Sequence, residues 1–145
     1  MSDTRSPEPA EGSGTSSTPE IQGAFPSNAV VGIVGDPREL SHVVDELRAG
    51  GHSPDVLCGA RGIERIEHAG GSTAEVRVIR SVQKLFGFEA DHAERHQKAL
   101  DDGEFVVVVG ASEDAEADRV GQAFAAHGGR FVNHYTRWTG RRLIP

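Results

Sequence analysis

One arrangement of segments occurs twice in this chain. An apolar run that ends in glycine is followed by a turn, an amphipathic stretch, a Gly-Gly pair and a short strand-like run, over residues 29–58 and again over residues 104–135. A continuous apolar run is typical of a strand buried on both faces, and apolar residues spaced i, i+3, i+4, i+7 form one stripe along a helix. The repeat therefore predicts two strand–helix–strand units of similar size.

Two such units in one sheet predict an α+β fold, the ferredoxin-like βαββαβ sandwich. Right-handed crossovers leave few ways to combine the units, and this sandwich is the most economical of them. We expect the most apolar strands, 29–35 and 105–109, in the centre of the sheet. The shorter and more polar strands, 55–58 and 131–135, are expected at its edges. Both helices should then cover the same face.

The first helix, Pro37 to about Ala49, is predicted to begin with its own capping groups. Asp36 occupies the N-cap position and Glu39 the third helical position. An N-cap carboxylate accepts hydrogen bonds from the free amides that would otherwise bind a phosphate, and proline has no amide to donate. The glycines in this turn also do not fit G-x-G-x-x-G. We therefore predict a capped turn without a nucleotide.

The second helix is predicted from about Glu113 to His127, with a similar start. Ser112 is expected to cap it, and several acidic residues follow in the first turn. Carboxylates at a helix N-terminus complement the helix dipole and would repel a phosphate. Both turns of the repeat are therefore predicted to be structural.

The segment from about residue 60 to about residue 102 is predicted to be a helical insertion between the two units, because about forty residues are too many for a hairpin loop. A short helix is expected over residues 62–68. Two further helices are expected where the spacing of a capping box occurs: Ser72 with Glu75, and Asp91 with Glu94. The last of them should end at about Asp101. We expect the insertion to cover the open face of the sheet or the strand near Leu57.

The N-terminal 27 residues differ from the rest of the chain. They are rich in Ser, Pro, Glu, Gly and Thr and contain few large apolar side chains, which predicts a disordered tail followed by one domain over residues 28–145. The chain lacks an apolar run of the ~20 residues that span a bilayer. A single cysteine excludes an internal disulfide, and we expect a cytoplasmic protein that does not bind a membrane. The net charge of −7 argues against general nucleic-acid binding.

Few residues point to catalysis or to a metal. His92 and His96 are four apart and would share a helix face, but without a recognisable third ligand we interpret them as part of a solvated face. Cys58 is interpreted as a buried structural thiol. A nucleophile, a base and an oxyanion hole cannot be assembled from the sequence, so we expect neither catalytic residues nor a cofactor or metal.

The most distinctive segment is C-terminal, where aromatic and arginine residues interleave. Its candidate contact residues are Tyr135, Arg137, Trp138 and Arg141. Such surfaces stack bases, bind anions or form protein interfaces. Strand alternation would place Phe131, Asn133 and Tyr135 on one face, so at least part of the aromatic set should be core. Packing and self-association are favoured over a partner protein, and nucleic acid is the least favoured.

Two stretches resemble a known family. "VGIVGDPRELSHVVDELRAGGHSPDVLCG" and "HAERHQKALDDGEFVVVVGASEDAEADRVGQAFAAHGG" resemble bacterial general-stress or heat-induced stress proteins of the 17M type, and "GGRFVNHYTRWT" resembles the end of a group of uncharacterised bacterial proteins. The resemblance covers about residues 29–139 and consists of structural residues. It implies a ferredoxin-like fold and a stress-associated bacterial setting, and it carries no catalytic residues over to this chain.

Three hypotheses of function follow. The first is a non-enzymatic binding or interaction module that forms a homo-oligomer, with an unidentified protein as a possible further partner. The second is a sensor of a small anionic ligand near residues 58–66, with Arg61 and Arg65 as its contacts. The third is a nucleic-acid binder that uses the C-terminal Arg/aromatic segment. The first is favoured, and an enzyme is the least supported class because the sequence shows no convergent catalytic residues.

Overall fold

A computed structural model describes residues 28–81, 90–136 and 140–145. The N-terminal tail predicted over residues 1–27 lies outside them. Along the described chain the elements are β1 (Ala29–Val34), α1 (Pro37–Ala49), β2 (Asp55–Cys58), α2 (Ala60–His68), β3 (Val76–Val78), α3 (Ala90–Asp101), β4 (Phe105–Gly110), α4 (Asp114–Ala126), β5 (Arg130–Tyr135) and β6 (Gly140–Ile144). The fold is a mixed α/β structure built on one sheet.

The described strands form a six-stranded mixed sheet in the order β3-β2-β4-β1-β5-β6. Only β2 and β3 run parallel to each other, and the other neighbouring pairs are antiparallel. The predicted four-stranded sheet is therefore too small by two strands. The prediction that 55–58 and 131–135 are edge strands is also wrong, because β3 pairs with β2 and β6 pairs with β5. Each added strand satisfies a row of backbone groups that an edge would leave open.

The two central strands are those with the longest apolar runs, as predicted. β1 and β4 pair along their whole length, from Ala29 opposite Gly110 to Val34 opposite Phe105. Gly32 in β1 allows a helix to approach closely, since a Cβ at this position would lie 2.7 Å from Cε1 of Phe124. The apolar pattern thus correctly predicted the central position of β1 and β4 in the sheet. Gly32 allows α4 to pack closely against them.

Three helices cover the first face of the sheet. The helical stripes of α1 and α4 pack there as predicted, and α2 adds Ile66 beside them. The largest buried side chain that α4 contributes is Phe124, and α1 contributes Leu47. This face has an apolar core, which also includes Val30, Val34, Leu40, Val43, Val56, Cys58, Phe105, Val107, Val109, Val120 and Val132.

One helix, α3, covers the second face. Its buried side chains Ala93, Ala99 and Leu100 belong to a core cluster with residues from β1, β2, β4 and β5. Leu57 of β2 is a member of this cluster. The prediction that the insertion covers the open face of the sheet is therefore confirmed.

The first part of the insertion is only partly as predicted. The short helix expected over 62–68 is confirmed as α2, but the helix expected after Ser72 and Glu75 is wrong, because Val76–Val78 is strand β3. The Ser72 hydroxyl accepts a hydrogen bond from the Ala74 amide in a turn, and the Glu75 carboxylate contacts Arg48. As a strand, this segment forms backbone hydrogen bonds with β2. These stabilise it more than a helix with one weak apolar stripe would be stabilised. Residues 82–87 of the expected helix lie outside the described part.

Helix α3 matches the third predicted segment but begins earlier. Ala90 is already helical, so Asp91 lies in the first turn rather than at the N-cap, and the capping box of Asp91 with Glu94 is wrong. The carboxylate of Asp91 still lies at the positive end of the helix dipole, where it is stabilising. The end of the helix at Asp101 is as predicted.

Candidate functional site

The turn between β1 and α1 is capped as the sequence predicts. Asp36 has an extended conformation, its Oδ1 accepts a hydrogen bond of 2.9 Å from the Glu39 amide, and Pro37 occupies the first turn. The side chain of Asp36 therefore uses an amide that an anion would need. The turn is therefore a structural helix start and does not provide an anion-binding site. A binding site has to be sought in other parts of the molecule.

The turn between β4 and α4 is built differently. The N-cap is Glu113 and not Ser112 as predicted, and its side chain makes no cap bond within the described chain. The Ser112 amide instead donates to the Glu116 carboxylate over 3.2 Å. A glutamate side chain is too long to fold back onto its own first turn as aspartate does, so the first-turn amides of α4 have no such cap.

Arg65 and Arg61, predicted contacts of an anion, have different environments. The Arg65 guanidinium donates to the carbonyl of Gly35 at 2.8 Å and to that of Gly103 at 2.6 Å. It thereby joins the turn after β1 to the turn before β4. Gly103 has φ +84, and a Cβ there would lie 2.9 Å from Cδ of Arg65. Arg65 is structural, and Arg61 remains exposed beside it on α2.

The described aromatic residues of the C-terminal segment belong to the core. Phe131 and Tyr135 are buried on the second face together with Asn133, which confirms the predicted alternation. Arg137 and Trp138 lie outside the described residues. A base-stacking surface would need its aromatic rings exposed, so Phe131 and Tyr135 are not available for one.

Two described arginines of this segment, Arg130 and Arg141, are engaged in ion pairs. Arg130 contacts the Glu104 carboxylate. Arg141 lies 3.1 Å from the Asp118 carboxylate and 3.5 Å from that of Asp114. These exposed pairs add little to stability, but they reduce the positive charge that the sequence offers to a nucleic acid.

The second face contains a polar and aromatic cluster between α3 and β5. The Nδ1 atom of His92 is 2.6 Å from the Tyr135 hydroxyl. The Phe131 ring is in edge contact with His92 at 5.1 Å between centroids, is 5.3 Å from the His96 ring, and carries the Arg95 guanidinium 3.8 Å from its centre. Phe131 itself has φ +47, an unusual conformation for a non-glycine residue. The cluster attaches α3 to the sheet through specific contacts.

The interpretation of His92 and His96 as a solvated helix face is wrong. His96 is completely buried, and burial lowers its pKa to about 4, with smaller contributions from the neighbouring His92 and Arg95. His96 is therefore neutral at physiological pH. A sequence signal existed: Ala93, His96 and Leu100 have the spacing i, i+3, i+7 of a buried stripe. Because histidine is polar, His96 was not counted as part of a buried stripe.

Cys58 is a buried structural thiol, as predicted. It is inaccessible at the end of β2, and burial raises its pKa to about 11. A thiol of this pKa is almost entirely protonated at neutral pH, whereas a nucleophile must be a thiolate.

An open groove of about 620 Å³ lies along the outer side of α3. Its lining residues are Arg80, Ser81, Ala93, Glu94, Gln97, Lys98, Asp101 and Asp102. Several of these bind one another: Gln97 donates to the Arg80 carbonyl and to Asp101, both at 3.0 Å, and Lys98 lies 3.1 Å from Asp102. Several polar side chains that line the groove are thus already paired with one another.

The sheet edges are the remaining surfaces of interest. In the described ranges β3 has a neighbouring strand on one side only, and so does β6. Val78, the last residue of β3, is 56% exposed and is the large apolar side chain found exposed in these ranges. The β6 edge carries Arg141 and the exposed Arg142 instead. Charged side chains protect an edge from further pairing, and an apolar residue favours it.

Comparisons of the chain with protein-family models, curated proteins and solved structures give no match. Within the described residues, His, Cys, Asp and Glu side chains do not form a group of three that could hold a metal ion. The described helices are all too short or too polar to cross a membrane.

Proposed function

We propose that this protein is a non-enzymatic binding module that self-associates by pairing the outer edges of β3 from two copies. The observation that carries the proposal is the exposure of Val78 on a strand that has a described neighbouring strand on one side only. Such an edge binds another strand through main-chain hydrogen bonds, with the side chains setting the register. The occupant that fits best is a second copy of the same edge.

The alternative surfaces support this choice. The second face of the sheet is covered by α3, so it does not provide a dimer interface. At the other edge, Arg142 is exposed on β6, and pairing two such strands about this residue would bring like charges together. The polar side chains of the His92 and Tyr135 cluster hold α3 in place. The β3 edge is the surface that remains.

Symmetry selects a register for the pair. In a two-fold antiparallel arrangement, placing Val78 opposite its own copy sets Val76 opposite Arg80 and Arg77 opposite Ile79. Charged side chains then face apolar ones, and like charges are not opposed. Centring the pair on Arg77 would instead oppose two arginines, which is destabilising. Because β3 has three residues, the interface is small and the dimer should depend on concentration.

The dimer can be tested by sedimentation velocity over a wide range of protein concentration. We expect the wild-type protein to shift from monomer to dimer as concentration rises, and Val78→Lys to remain monomeric because two lysines would meet at the centre. Val78→Glu should also be monomeric alone, whereas a mixture of the two variants should form a heterodimer. Arg142→Glu at the other edge is the matched control and should behave like wild type.

Val78 is exposed, so these variants should unfold at the wild-type temperature, which separates loss of pairing from loss of folding. A wild-type protein that stays monomeric throughout, or a Val78→Lys variant that dimerises normally, contradicts the proposal. So does an Arg142→Glu variant that is as monomeric as Val78→Lys.

We also propose that the four inner strands, with α1 and α4, are a ferredoxin-like core to which β3 and β6 are added. Its support is the strand order β2-β4-β1-β5 with antiparallel neighbours throughout. A stress-associated bacterial setting in the cytoplasm is proposed on the family resemblance alone. Accumulation of the protein after heat shock would support that setting, and unchanged abundance would contradict it.

A further inference from the structure

His134 is a histidine buried on the first face of the sheet. It lies in β5, is 1% exposed, and its Nε2 atom is 2.9 Å from the carbonyl oxygen of Ala111. A carbonyl oxygen can only accept a hydrogen bond, so Nε2 must carry the hydrogen and donate. This contact determines the tautomer of the neutral ring, in which Nδ1 bears a lone pair.

The Nδ1 atom of His134 faces a carboxylate. It is buried and has no hydrogen-bond partner among the described residues, and Oδ1 of Asp114 is 3.7 Å away. In the neutral ring, Nδ1 and the Asp114 carboxylate oxygen are both acceptors, so they do not form a hydrogen bond with each other. A proton on Nδ1 would turn the same geometry into an ion pair between an imidazolium and a carboxylate.

Three charged side chains lie around His134. Arg141 of β6 is the residue opposite His134 in the sheet, and it lies 3.5 Å from Asp114 and 3.1 Å from Asp118. Two carboxylates and one guanidinium leave one negative charge in excess, which an imidazolium would neutralise. Glu116, also in the first turn of α4, is directed to the Ser112 amide instead.

The three side chains connect three elements of the first face. Asp114 is the first residue of α4, Arg141 belongs to the edge strand β6, and His134 lies in the strand between them. Glu113, the N-cap of α4, provides no side-chain cap in the described chain. Asp114 is 79% exposed, and within the described residues its carboxylate lies near the Arg141 guanidinium and Nδ1 of His134.

We propose that His134, Asp114 and Arg141 form a proton-operated clasp. Proton uptake by His134 makes Nδ1 a donor to Asp114, and this closes the first turn of α4 and the edge strand β6 onto β5. When the proton leaves, the attraction to Asp114 is lost and β6 opens more often. Mild acidification therefore tightens one edge of the sheet, independently of the pairing proposed for the β3 edge.

Residue-resolved amide hydrogen exchange of β6, measured by NMR at mildly acidic and mildly alkaline pH, tests the clasp. After correction for intrinsic exchange, we expect the protection of the wild-type β6 amides to rise several-fold on acidification. Asp114→Asn keeps the shape of the side chain but removes its charge, and it should abolish the rise. Glu113→Gln is the matched control, one residue earlier, and should keep it.

A second variant separates titration from packing. His134→Gln can still donate to the Ala111 carbonyl but does not titrate in this range, so its β6 protection should be the same at both pH values. If His134 were merely structural, the His134→Gln substitution would lower the protection of the β6 amides equally at both pH values. The inference is overturned if wild-type protection does not change with pH, or if Asp114→Asn retains the full pH dependence.

Discussion

The two faces of the sheet are built by different means. The first face carries three helices over an apolar core, and the stripes of α1 and α4 are visible in the sequence. Within the described residues the second face is covered by α3, and next to its aliphatic side chains lie the buried His96 and the part-buried Tyr135–His92 pair. Apolar packing is non-directional, whereas the polar contacts of α3 require defined partners. On the second face the burial of the His96 ring should make the free energy of unfolding depend on pH.

The largest expected effect is on the first face. Phe124→Ala removes the fully buried ring of α4 that packs against Gly32, and it should lower the free energy of unfolding by about 3–5 kcal/mol. Urea denaturation measures the loss as a lower midpoint. Gln122→Ala, on the exposed side of the same helix, should change the value by less than about 0.5 kcal/mol. Similar losses for both variants would contradict the packing of α4 described above.

An intermediate effect is expected on the second face, as a dependence of stability on pH. The pKa of His96 is about 4 in the folded protein and 6.5 in an unperturbed histidine. Above pH 6.5 the ring is neutral in both states and the stability is fully present. As the pH falls from 6.5 to 4, only the unfolded chain takes up the proton, so the free energy of unfolding should decrease by about 3 kcal/mol.

The variant His96→Leu isolates this term from the titration of carboxylates. Urea unfolding of both proteins across the same pH range should show the wild type losing about 3 kcal/mol more than the variant, and the difference should stop growing below pH 4. Parallel stability curves would show that His96 does not titrate in a buried environment. The burial of His96 would then contribute nothing to the pH dependence of stability.

The smallest effect tests a helix start on the first face. Asp36→Ala removes the acceptor of the Glu39 amide and should lower the free energy of unfolding by about 1 kcal/mol. Glu113→Ala at the corresponding position of α4 should have almost no effect, because its side chain forms no cap bond in the described structure. Thermal unfolding of both variants measures the difference. Equal losses would mean that Asp36 does not act as a cap.

The sequence predicts those parts of the fold that depend on neighbouring residues. Asp36 caps α1 because the amides it satisfies are within three residues of it. The apolar runs of β1 and β4 placed them in the centre of the sheet, since few other positions bury both faces of a strand. The spacing of Asp91 and Glu94 correctly indicated a helix, although its first turn begins at Ala90.

The candidate surfaces were less accessible to sequence reasoning. The pattern around Ser72 and Glu75 satisfied a capping rule, yet Val76–Val78 forms a strand because β2 lies alongside it in space. The C-terminal segment was predicted to lie partly in the core, and Tyr135 is buried, but the sequence did not show that Arg141 pairs with carboxylates of α4. In each case the deciding partner lies far away along the chain.

By itself the sequence determined the repeated strand–helix–strand units, their apolar stripes and the cap of α1. Only the tertiary structure decided that the sheet has six described strands, that His96 is buried and neutral, and that His134 faces Asp114. The physical reason is the range of the interactions. Helix periodicity and capping act within one or two turns, whereas strand pairing and the burial of a polar ring depend on which distant segments the folded chain brings together.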